Sequence, residues 1–289
     1  MKRILGVGIA TLDIINRVEV YPPEDGEVRA LDQRLSRGGN CTNTLVVLSQ
    51  LGYACDWAGH LADDDASAWV RADLEQRGIR WLGSEPIANG RLPTSYVTLS
   101  ERTGSRTIVH YRDLPEYGGD CFAGLDLSAY DWVHFEGRNV PELARMMARV
   151  RDVLPQAGVS LEIEKPREGL VDLASMADVV LFSRGFAQSK GYAEPASFLK
   201  AMAQSFPGQA LYCAWGERGA GASEAIGGYC WCDAVPPASI VDTLGAGDVF
   251  NAAVIDARLR GEELRTGLHH ACDLAARKCA RLGLDDLLN

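Results

Sequence analysis

The sequence lacks a long apolar run, a paired-cysteine motif and an excess of positive charge. The longest uncharged stretch, from Gly38 to Cys55, contains asparagine, threonine, serine and glutamine, so it is not a membrane span. None of the eight cysteines forms a C-x-x-C pair and the five histidines are scattered, which excludes the common zinc-binding patterns. Lysine and arginine number 29 against 39 acidic residues, and this net charge of −10 argues against a nucleic-acid partner.

The composition is that of a globular protein, with 47% hydrophobic and 24% charged residues. We therefore expect residues 1–289 to fold as one large unit. The first residues, Met1-Lys2-Arg3-Ile4, carry no apolar signal segment. Since no disulfide or zinc pattern is visible, we predict reduced, buried thiols and a cytoplasmic protein that binds no membrane.

Strand-like and helix-like segments alternate along most of the chain. The apolar runs predicted as buried strands are Arg3–Gly8, Trp132–Phe135, Val159–Ile163, Asp178–Phe182 and Ala210–Trp215. The segments of helical period are Asp64–Arg77, Pro141–Leu154, Glu194–Phe206 and the stretch from Leu264 to Cys279. This alternation predicts an α/β fold in which a mostly parallel central sheet is covered by helices on both faces.

Two insertions, residues 12–38 and 91–113, interrupt the alternation with short, turn-rich segments of period two. In the second, Tyr96–Leu99 and Thr107–Tyr111 flank a loop that contains Gly104, a pattern typical of a β-hairpin. We predict that the insertions form a small β-sheet lid. The residues expected to give it an exposed apolar face are Val97, Leu99, Ile108 and Val109. Such a face would be covered either by a second lid, in a homodimer, or by the parent domain.

A glycine-rich motif, Asp242-Thr-Leu-Gly-Ala-Gly-Asp248, runs directly into a segment of helical period. The backbone N–H groups of Gly245, Ala246 and Gly247 at the helix start can bind an anion such as a phosphate. Asp248 lies in the first turn, where a carboxylate either stabilises its own helix or acts as a base toward a hydroxyl. The motif alone leaves both roles open.

A second motif, Gly38-Gly39-Asn40-Cys41-Thr42-Asn43, precedes an uncharged apolar helix that ends at Gly52. Asn40 is a good residue to cap that helix. Alternatively, Asn40 and Asn43 lie one turn apart and can present their amides to a polyhydroxylated ligand. Asp13 follows the first strand and can point toward the same pocket.

Two further glycine motifs suggest nucleotide binding. Trp215-Gly216-Glu217-Arg218-Gly219 follows a predicted buried strand and is a second candidate phosphate loop. Gly6-Val7-Gly8 is similar to the start of a dinucleotide-binding fingerprint, which would indicate an oxidoreductase. That fingerprint lacks its third glycine here and leads into a β-like segment rather than a helix, so we disfavour this alternative.

The two main motifs together resemble the signatures of the ribokinase-like (PfkB) carbohydrate kinases, and the resemblance covers nearly the whole chain. The segments similar to the ketohexokinase (fructokinase) branch are Tyr21–Asp25, Phe135–Asn139, Glu164–Glu168 and Cys213–Trp215. The resemblance implies a three-layer α/β/α sandwich with a small β-sheet lid. It further implies an ATP- and Mg²⁺-dependent kinase that phosphorylates the 1-hydroxyl of a ketohexose, converting D-fructose to fructose 1-phosphate.

The resemblance also implies a role for each motif residue. Asp248 looks like the catalytic base, with an anion hole formed by Gly245, Ala246 and Gly247. The sugar-binding positions are matched by Asp13, Gly39, Asn40 and Asn43, and Asp25 would approach the sugar from the second protomer of a homodimer. The ATP loop is matched by Gly216, Glu217, Arg218 and Gly219, and Arg106 matches the lid arginine that reaches the phosphates.

One departure from the family pattern concerns the metal. Many members carry Asn-x-x-Glu after a central strand, whereas this chain has Phe182-Ser183-Arg184-Gly185-Phe186 there. Ketohexokinases also lack the Asn-x-x-Glu element. Residues that could substitute are Glu162, Glu164 and Lys165. Alternative substrates are ribose, tagatose or a 2-keto-3-deoxy acid, the last of which needs an additional cation beside the sugar. A sugar sensor without catalysis is disfavoured by the retained Asp248.

Overall fold

The computed structural model describes residues 1–83, 85–103, 105–225, 227–236 and 239–288. Its strands are β1 (Arg3–Val7), β2 (Thr11–Val18), β3 (Asp32–Gly38), β4 (Ala54–Ala58), β5 (Arg80–Trp81), β6 (Thr94–Ser100), β7 (Arg106–Tyr111), β8 (Trp132–Glu136), β9 (Gly158–Ile163), β10 (Val179–Ser183), β11 (Ala210–Ala214), β12 (Gly219–Glu224) and β13 (Gly228–Asp233). Its helices are α1 (Asn40–Gln50), α2 (Asp65–Gln76), α3 (Gly119–Ala123), α4 (Val140–Val153), α5 (Arg184–Ser189), α6 (Pro195–Ser205), α7 (Ala246–Leu259) and α8 (Leu264–Cys279).

Within the described residues, the central sheet contains nine strands in the order β13-β12-β11-β10-β9-β8-β1-β4-β5. All neighbouring pairs from β5 to β11 are parallel, and β12 and β13 extend the edge as antiparallel strands. Because the parallel strands share one direction, their carboxyl ends meet along a single edge. Ligand sites of open α/β sheets lie at this edge.

The sheet separates two apolar cores because successive strand side chains point to opposite faces. In β10, for example, Val179 and Leu181 belong to one core and Val180 and Phe182 to the other. The first core is closed by α1, α2, α7 and α8, and the second by α3, α4, α5 and α6. The predicted layered fold, with a mostly parallel sheet covered on both faces, is confirmed.

A separate four-stranded sheet has the order β3-β2-β6-β7. The outer pairs are antiparallel, whereas β2 and β6 are parallel and join the two predicted insertions. Asp13 pairs with Ser95 across β2 and β6, and Ser95 with His110 across β6 and β7. These three residues therefore share one face of the small sheet, which we call the inner face.

The prediction for the apolar face of this sheet was wrong for most of its residues. Val97 lies two residues from Ser95, and Ile108 lies two residues from His110, so both point to the inner face. Val97 is buried there. Leu99 lies on the inner face by the same alternation. Only Val109 points outward. The exposed apolar residues of the outer face are Leu35, Tyr96, Val109 and Tyr111. Gly104, expected in the hairpin loop, lies outside the described residues.

The predicted long helices and the five predicted strands are present, with ends shifted by at most one residue. The shift at α2 has a clear cause: the Asp64 carboxylate accepts a 2.8 Å hydrogen bond from the Ser67 N–H, which makes Asp64 the N-cap rather than the first helical residue. A second correction concerns Asn40. The N-cap of α1 is Gly39, and the Asn40 side chain makes no capping bond.

The eight cysteines are free thiols, as predicted, and six of them are buried. Cys121 is exposed and Cys279 is half-buried, so the expectation of burial was wrong for these two. In the described part of the chain, no helix is both long and apolar enough to cross a membrane.

Candidate active site

A cavity of about 490 Å³ lies between the carboxyl ends of the central strands and the inner face of the small sheet. Both glycine motifs reach it. The predicted site residues that line this cavity are Asp13, Gly39, Asn40, Asn43, Arg106, Gly245, Gly247 and Asp248. The structure thus brings residues from opposite ends of the chain into one pocket.

The Asp242–Asp248 loop begins at a buried, fully paired carboxylate. Asp242 pairs with Arg34 at 2.9 Å and with the fully buried Lys278 at 3.2 Å, and it accepts the Leu244 N–H. These contacts fix the loop where it enters α7. Gly245 then takes a left-handed conformation (φ 80°), which glycine adopts without strain, and α7 starts at the next residue.

The start of α7 presents free backbone amides to the cavity. The Ala246 N–H donates to the Thr243 carbonyl at 3.3 Å. Within the described residues, the N–H groups of Gly245 and Gly247 have no acceptor, and both residues line the cavity. A methyl group at Gly247 would meet no atom within 4 Å, so the helix start is open to a ligand. This arrangement suits an anion, since unpaired N–H groups and the helix dipole act together.

Asp248 is only 7% exposed in the first turn of α7. Its Oδ2 accepts a 2.7 Å hydrogen bond from Asn43 Nδ2 on α1. Burial raises the pKa of the Asp248 carboxyl well above its usual range, and the charges of Glu164 and Glu136 raise it further, against the effect of Asn43. The environment of Asp248 therefore favours proton uptake, which is the property of a general base.

The Gly38–Asn43 motif brings two side-chain amides to the cavity, Asn43 beside Asp248 and Asn40 beside Glu162 and Glu164. Gly39 has φ 102°, and a Cβ there would lie 2.2 Å from the Ile9 carbonyl oxygen, so only glycine fits. Asn40 Nδ2 donates to Glu162 Oε1 at 3.1 Å and to Glu164 Oε2 at 3.3 Å. The chain passes close to the β1–β2 connection here, and this approach orients the first turn of α1 toward the cavity.

One carboxylate oxygen of Glu162 accepts two hydrogen bonds, and the other has no partner among the described residues. Oε1 accepts from Asn40 and from Asn251 Nδ2 at 3.0 Å, whereas the buried Oε2 has no hydrogen-bond partner in the described structure. Burial raises the pKa of Glu162 well above its usual range, and the nearby charge of Asp248 adds to this effect. An unpaired buried carboxylate oxygen is costly unless a ligand supplies its partner.

The inner face of the small sheet contributes polar side chains from the opposite wall. Asp13 accepts from Thr11 at 2.9 Å, and burial raises its pKa. Arg106 donates to Thr243 Oγ1 at 2.8 Å, which links β7 to the anion-binding loop. In the described chain, Arg106 has no carboxylate partner.

Most other cations of the cavity are neutralised by partners. Arg34 pairs with Asp242, and Arg37 with Asp73 at 2.9 Å. Arg138 pairs with Glu116 at 3.0 Å and with Glu136 at 3.3 Å. Arg167 donates to the Gly137 carbonyl. The positive charge that remains available to a ligand is thus at Arg106 and Arg167, which have no carboxylate partner in the described residues.

The second candidate phosphate loop lies outside the lining of this cavity. It forms a 3₁₀ turn between β11 and β12, with Gly216 (φ 65°) and Gly219 (φ 119°) in conformations that favour glycine. Glu217 pairs with Arg184 at 2.8 Å, and Arg218 pairs with Glu194 at 2.7 Å. Both charged side chains of the loop are therefore turned to neighbouring helices.

Asp25 also lies apart from the cavity. It is exposed in the segment between β2 and β3 and has a left-handed backbone (φ 58°). The structure does not bring it into the site of its own chain.

Several lining residues were not singled out from the sequence as site residues. Glu136 and Arg138 were noted only as part of a family-like segment, and no site role was predicted for Arg37, Asn251 or His110. A signal existed for Asn251, which follows Asp248 by three residues and so shares its helix face. For Arg37 the only signal was its place directly before the glycine pair.

Comparison with known proteins identifies the family. The profile of the pfkB family carbohydrate kinases matches residues 1–288. The chain belongs to this family. Ketohexokinase from Mus musculus is 40% identical over 295 residues, covering 99% of each chain. The ATP-dependent ribose-1-phosphate kinase of Halopiger xanaduensis is 26% identical and covers 98% of this chain and 94% of its own.

The fold matches the same group of enzymes. Ribokinase from Arabidopsis thaliana, solved with ribose and ATP, superposes with a TM-score of 0.76 at 18% identity, covering 100% of this chain and 98% of that one. The protein is therefore a carbohydrate kinase with the ribokinase-like fold, and the expectation drawn from the two glycine motifs is confirmed at this level.

Proposed function

We propose that this kinase transfers the γ-phosphoryl group of ATP to the 1-hydroxyl of a ketohexose such as D-fructose. The observation that carries the proposal is the buried Asp248 carboxylate beside the open amides of Gly245 and Gly247. The 40% identity to mouse ketohexokinase supports the choice of sugar. The ribokinase structure with ribose and ATP supports the choice of phosphoryl donor.

In the proposed reaction, Asp248 accepts the proton of the sugar hydroxyl. The hydroxyl oxygen forms a bond to the γ-phosphorus, the bond from this phosphorus to the β-phosphate oxygen breaks, and ADP leaves. The amides of Gly245, Ala246 and Gly247 stabilise charge on the transferred group, for which Ala246 releases its bond to Thr243. Arg106 supplies a positive charge that no carboxylate of the described chain neutralises.

We assign the sugar to the wall formed by Asp13, Gly39, Asn40 and Asn43. These residues offer carboxylate acceptors, amide donors and a close backbone approach, which together suit a polyhydroxylated ligand. The lid role that we give to the small sheet follows from its position over the cavity. Because Arg34, Arg37 and Arg138 already pair with carboxylates, a neutral sugar fits the cavity better than a 2-keto-3-deoxy acid.

The nucleotide is assigned to the 3₁₀ turn that contains Gly216, Glu217, Arg218 and Gly219. This turn follows β11 at the same sheet edge as the cavity, and its glycines allow close backbone approach. ATP bound there would extend its phosphates toward Arg106 and α7. Its side-chain ion pairs leave the backbone groups of the turn as the contacts available to a nucleotide.

Mg²⁺ is implied by the reaction, and the residues present fit it. In the described residues, no three His, Cys, Asp or Glu side chains form a metal cage. Mg²⁺ needs none, because it is commonly held by one or two carboxylates together with substrate phosphates and water. We assign it to the unpaired Oε2 of Glu162, with Glu164 and Lys165 also lining the cavity. Bound there, Mg²⁺ would neutralise phosphate charge.

We further propose a homodimer formed by the outer faces of two small sheets. Leu35, Ile14, Tyr96 and Val109 lie in one row across its four strands, and Val109 is 66% exposed. An apolar row on a small open sheet is stabilised when a second sheet covers it. In this arrangement Asp25, which lies outside its own cavity, would approach the sugar bound by the partner.

The substrate is tested by coupled ADP release across ketoses, aldoses and 2-keto-3-deoxy acids, with the phosphate position of the product determined by NMR. We expect D-fructose to give the highest kcat/KM and a 1-phosphate. A preference for ribose, which the fold relatives would also allow, or phosphate at another carbon would overturn the ketohexose assignment but leave a sugar kinase.

A further inference from the structure

A continuous chain of hydrogen bonds joins α2 to the carboxylate of Asp248. Arg37 Nε donates to Asp73 Oδ2 at 2.9 Å, and Arg37 Nη1 donates to Asn43 Oδ1 at 2.6 Å. Asn43 Nδ2 then donates to Asp248 Oδ2 at 2.7 Å. Arg37, at the end of β3, and Asp248 are each only 7% exposed, so the two groups that Asn43 joins are both shielded from water.

Arg37 determines which way the Asn43 amide faces. A guanidinium group carries only hydrogen-bond donors, so it can bond to an amide only through the amide oxygen. With Oδ1 held at 2.6 Å by Arg37, the NH₂ group must face Asp248. Rotated by half a turn, the amide would set two oxygens against each other at Asp248 and two donors against each other at Arg37.

This orientation distinguishes the two oxygens of Asp248. Asn43 occupies Oδ2, whereas Oδ1 accepts no hydrogen bond from the residues that the structure describes. We propose that Arg37 is a positioning residue of the kinase, which acts through Asn43 to hold Asp248 with Oδ1 toward the sugar hydroxyl. This inference rests on the proposed role of Asp248 as the base.

The same chain places the positive charge of Arg37 where it lowers the pKa of Asp248 in an acidic surrounding. The carboxylates facing Asp248 are Glu136 at the end of β8, and Glu162 and Glu164 at the end of β9. Burial raises the pKa of Asp248 and these charges raise it further, whereas the Asn43 bond and the charge of Arg37 lower it. The field of Arg37 is in turn reduced by Asp73, which also pairs with Arg77 at 3.1 Å.

The test is the pH dependence of kcat for Arg37→Met and Asp73→Asn. The base acts when ionised, so a higher pKa of Asp248 moves the acid-side loss of activity to higher pH. We expect Arg37→Met to move it upward by about one pH unit and to lower kcat by ~10–100-fold. Asp73→Asn removes the negative charge that pairs with Arg37, so it should move the acid-side loss of activity to lower pH. An unchanged acid limb in Arg37→Met, or an upward shift in Asp73→Asn, would overturn the proposal.

Two further variants separate positioning from general damage. Arg37→Lys keeps a positive donor, so its acid limb should lie closer to that of the unmodified enzyme than that of Arg37→Met; equal shifts would count against the proposal. Arg71→Met removes an exposed arginine from the same helix as Asp73 and should leave the profile unchanged. If Arg37→Met does not fold, the direction in which Asp73→Asn shifts the acid-side loss of activity tests the proposal.

The outcome for Asp248→Asn distinguishes failure of this inference from failure of the proposed function. If Asp248→Asn retains turnover, the base assignment fails, and with it the reason for the hydrogen-bond chain. If Asp248→Asn loses turnover while Arg37→Met keeps its acid limb, only the role of Arg37 is wrong.

Discussion

Asn43 and Asp248 are 205 residues apart in the sequence, and their side chains meet through a 2.7 Å hydrogen bond. This contact joins the first turns of α1 and α7, the two helices that begin at the glycine motifs. The amide-rich motif and the anion-binding motif are therefore two walls of one site. A sugar hydroxyl held by the first wall would lie beside the base and the amides of the second.

Asn40 is expected to affect the sugar more than the nucleotide, because it lines the cavity in the wall that we assign to the sugar, with Asp13 and Asn43. Asn40→Ala should raise the sugar KM by about tenfold or more and leave the ATP KM within about twofold. Steady-state kinetics with each substrate varied in turn measures both. Asn16→Ala is the matched control, because Asn16 is a half-buried asparagine of the small sheet that is bonded to Gln33. Equal changes in the two KM values would place the sugar elsewhere.

Gly39 is expected to be intolerant of any side chain. Gly39→Ala combines a φ of 102° with a Cβ 2.2 Å from the Ile9 oxygen, so it should lower the free energy of unfolding by ~3 kcal/mol or more. Gly52→Ala is the control, because its φ is 91° but no atom lies within 4 Å of the added carbon. We expect it to cost ~1–2 kcal/mol. Urea unfolding measures both, and equal losses would contradict the close approach at Gly39.

The outer face of the small sheet is expected to hold the dimer together. Val109→Glu puts a charge into the centre of the apolar row and should convert the dimer to a monomer in light scattering at micromolar concentration. Val153→Glu adds the same charge at an exposed valine at the end of α4 and should leave the mass unchanged. A monomer before any substitution would remove the dimer from the proposal.

The dimer also predicts complementation between two inactive variants. Asp248→Asn and Asp25→Ala proteins are mixed under conditions of chain exchange. A heterodimer would contain one site with both changes and one site with neither, so about half of the wild-type activity per heterodimer should return. Demonstrated heterodimers without recovery would show that Asp25 acts within its own chain or not at all.

Much of the architecture was predictable because it depends on local pattern. The strand runs and the helical periods predicted the layered α/β fold, and the two glycine motifs predicted which helix starts would form the pocket. The anion-binding start of α7 follows from Gly245 and Gly247 alone. These features need only neighbouring residues to be recognised.

The remaining features depend on partners that are distant in sequence. Arg37 resembles any strand arginine until Asp73, Asn43 and Asp248 are found around it. Asn40 matched the pattern of a helix cap, but Gly39 is the N-cap, and the Asn40 amide donates to the distant Glu162 and Glu164. The faces of the small sheet were assigned wrongly because alternation does not tell which side meets the cavity until the parallel pairing of β2 and β6 is known.

The role of Asp248 is measured most directly by the turnover of Asp248→Asn with D-fructose and ATP. The amide is nearly isosteric and can still accept from Asn43, so the protein should fold and bind both substrates. We expect kcat to fall by ~10²–10⁴-fold, the usual effect of removing a general base. Fructose affinity, measured by calorimetry, should change little. A loss below about tenfold, with the fold and sugar binding intact, would contradict the assignment of Asp248 as the base.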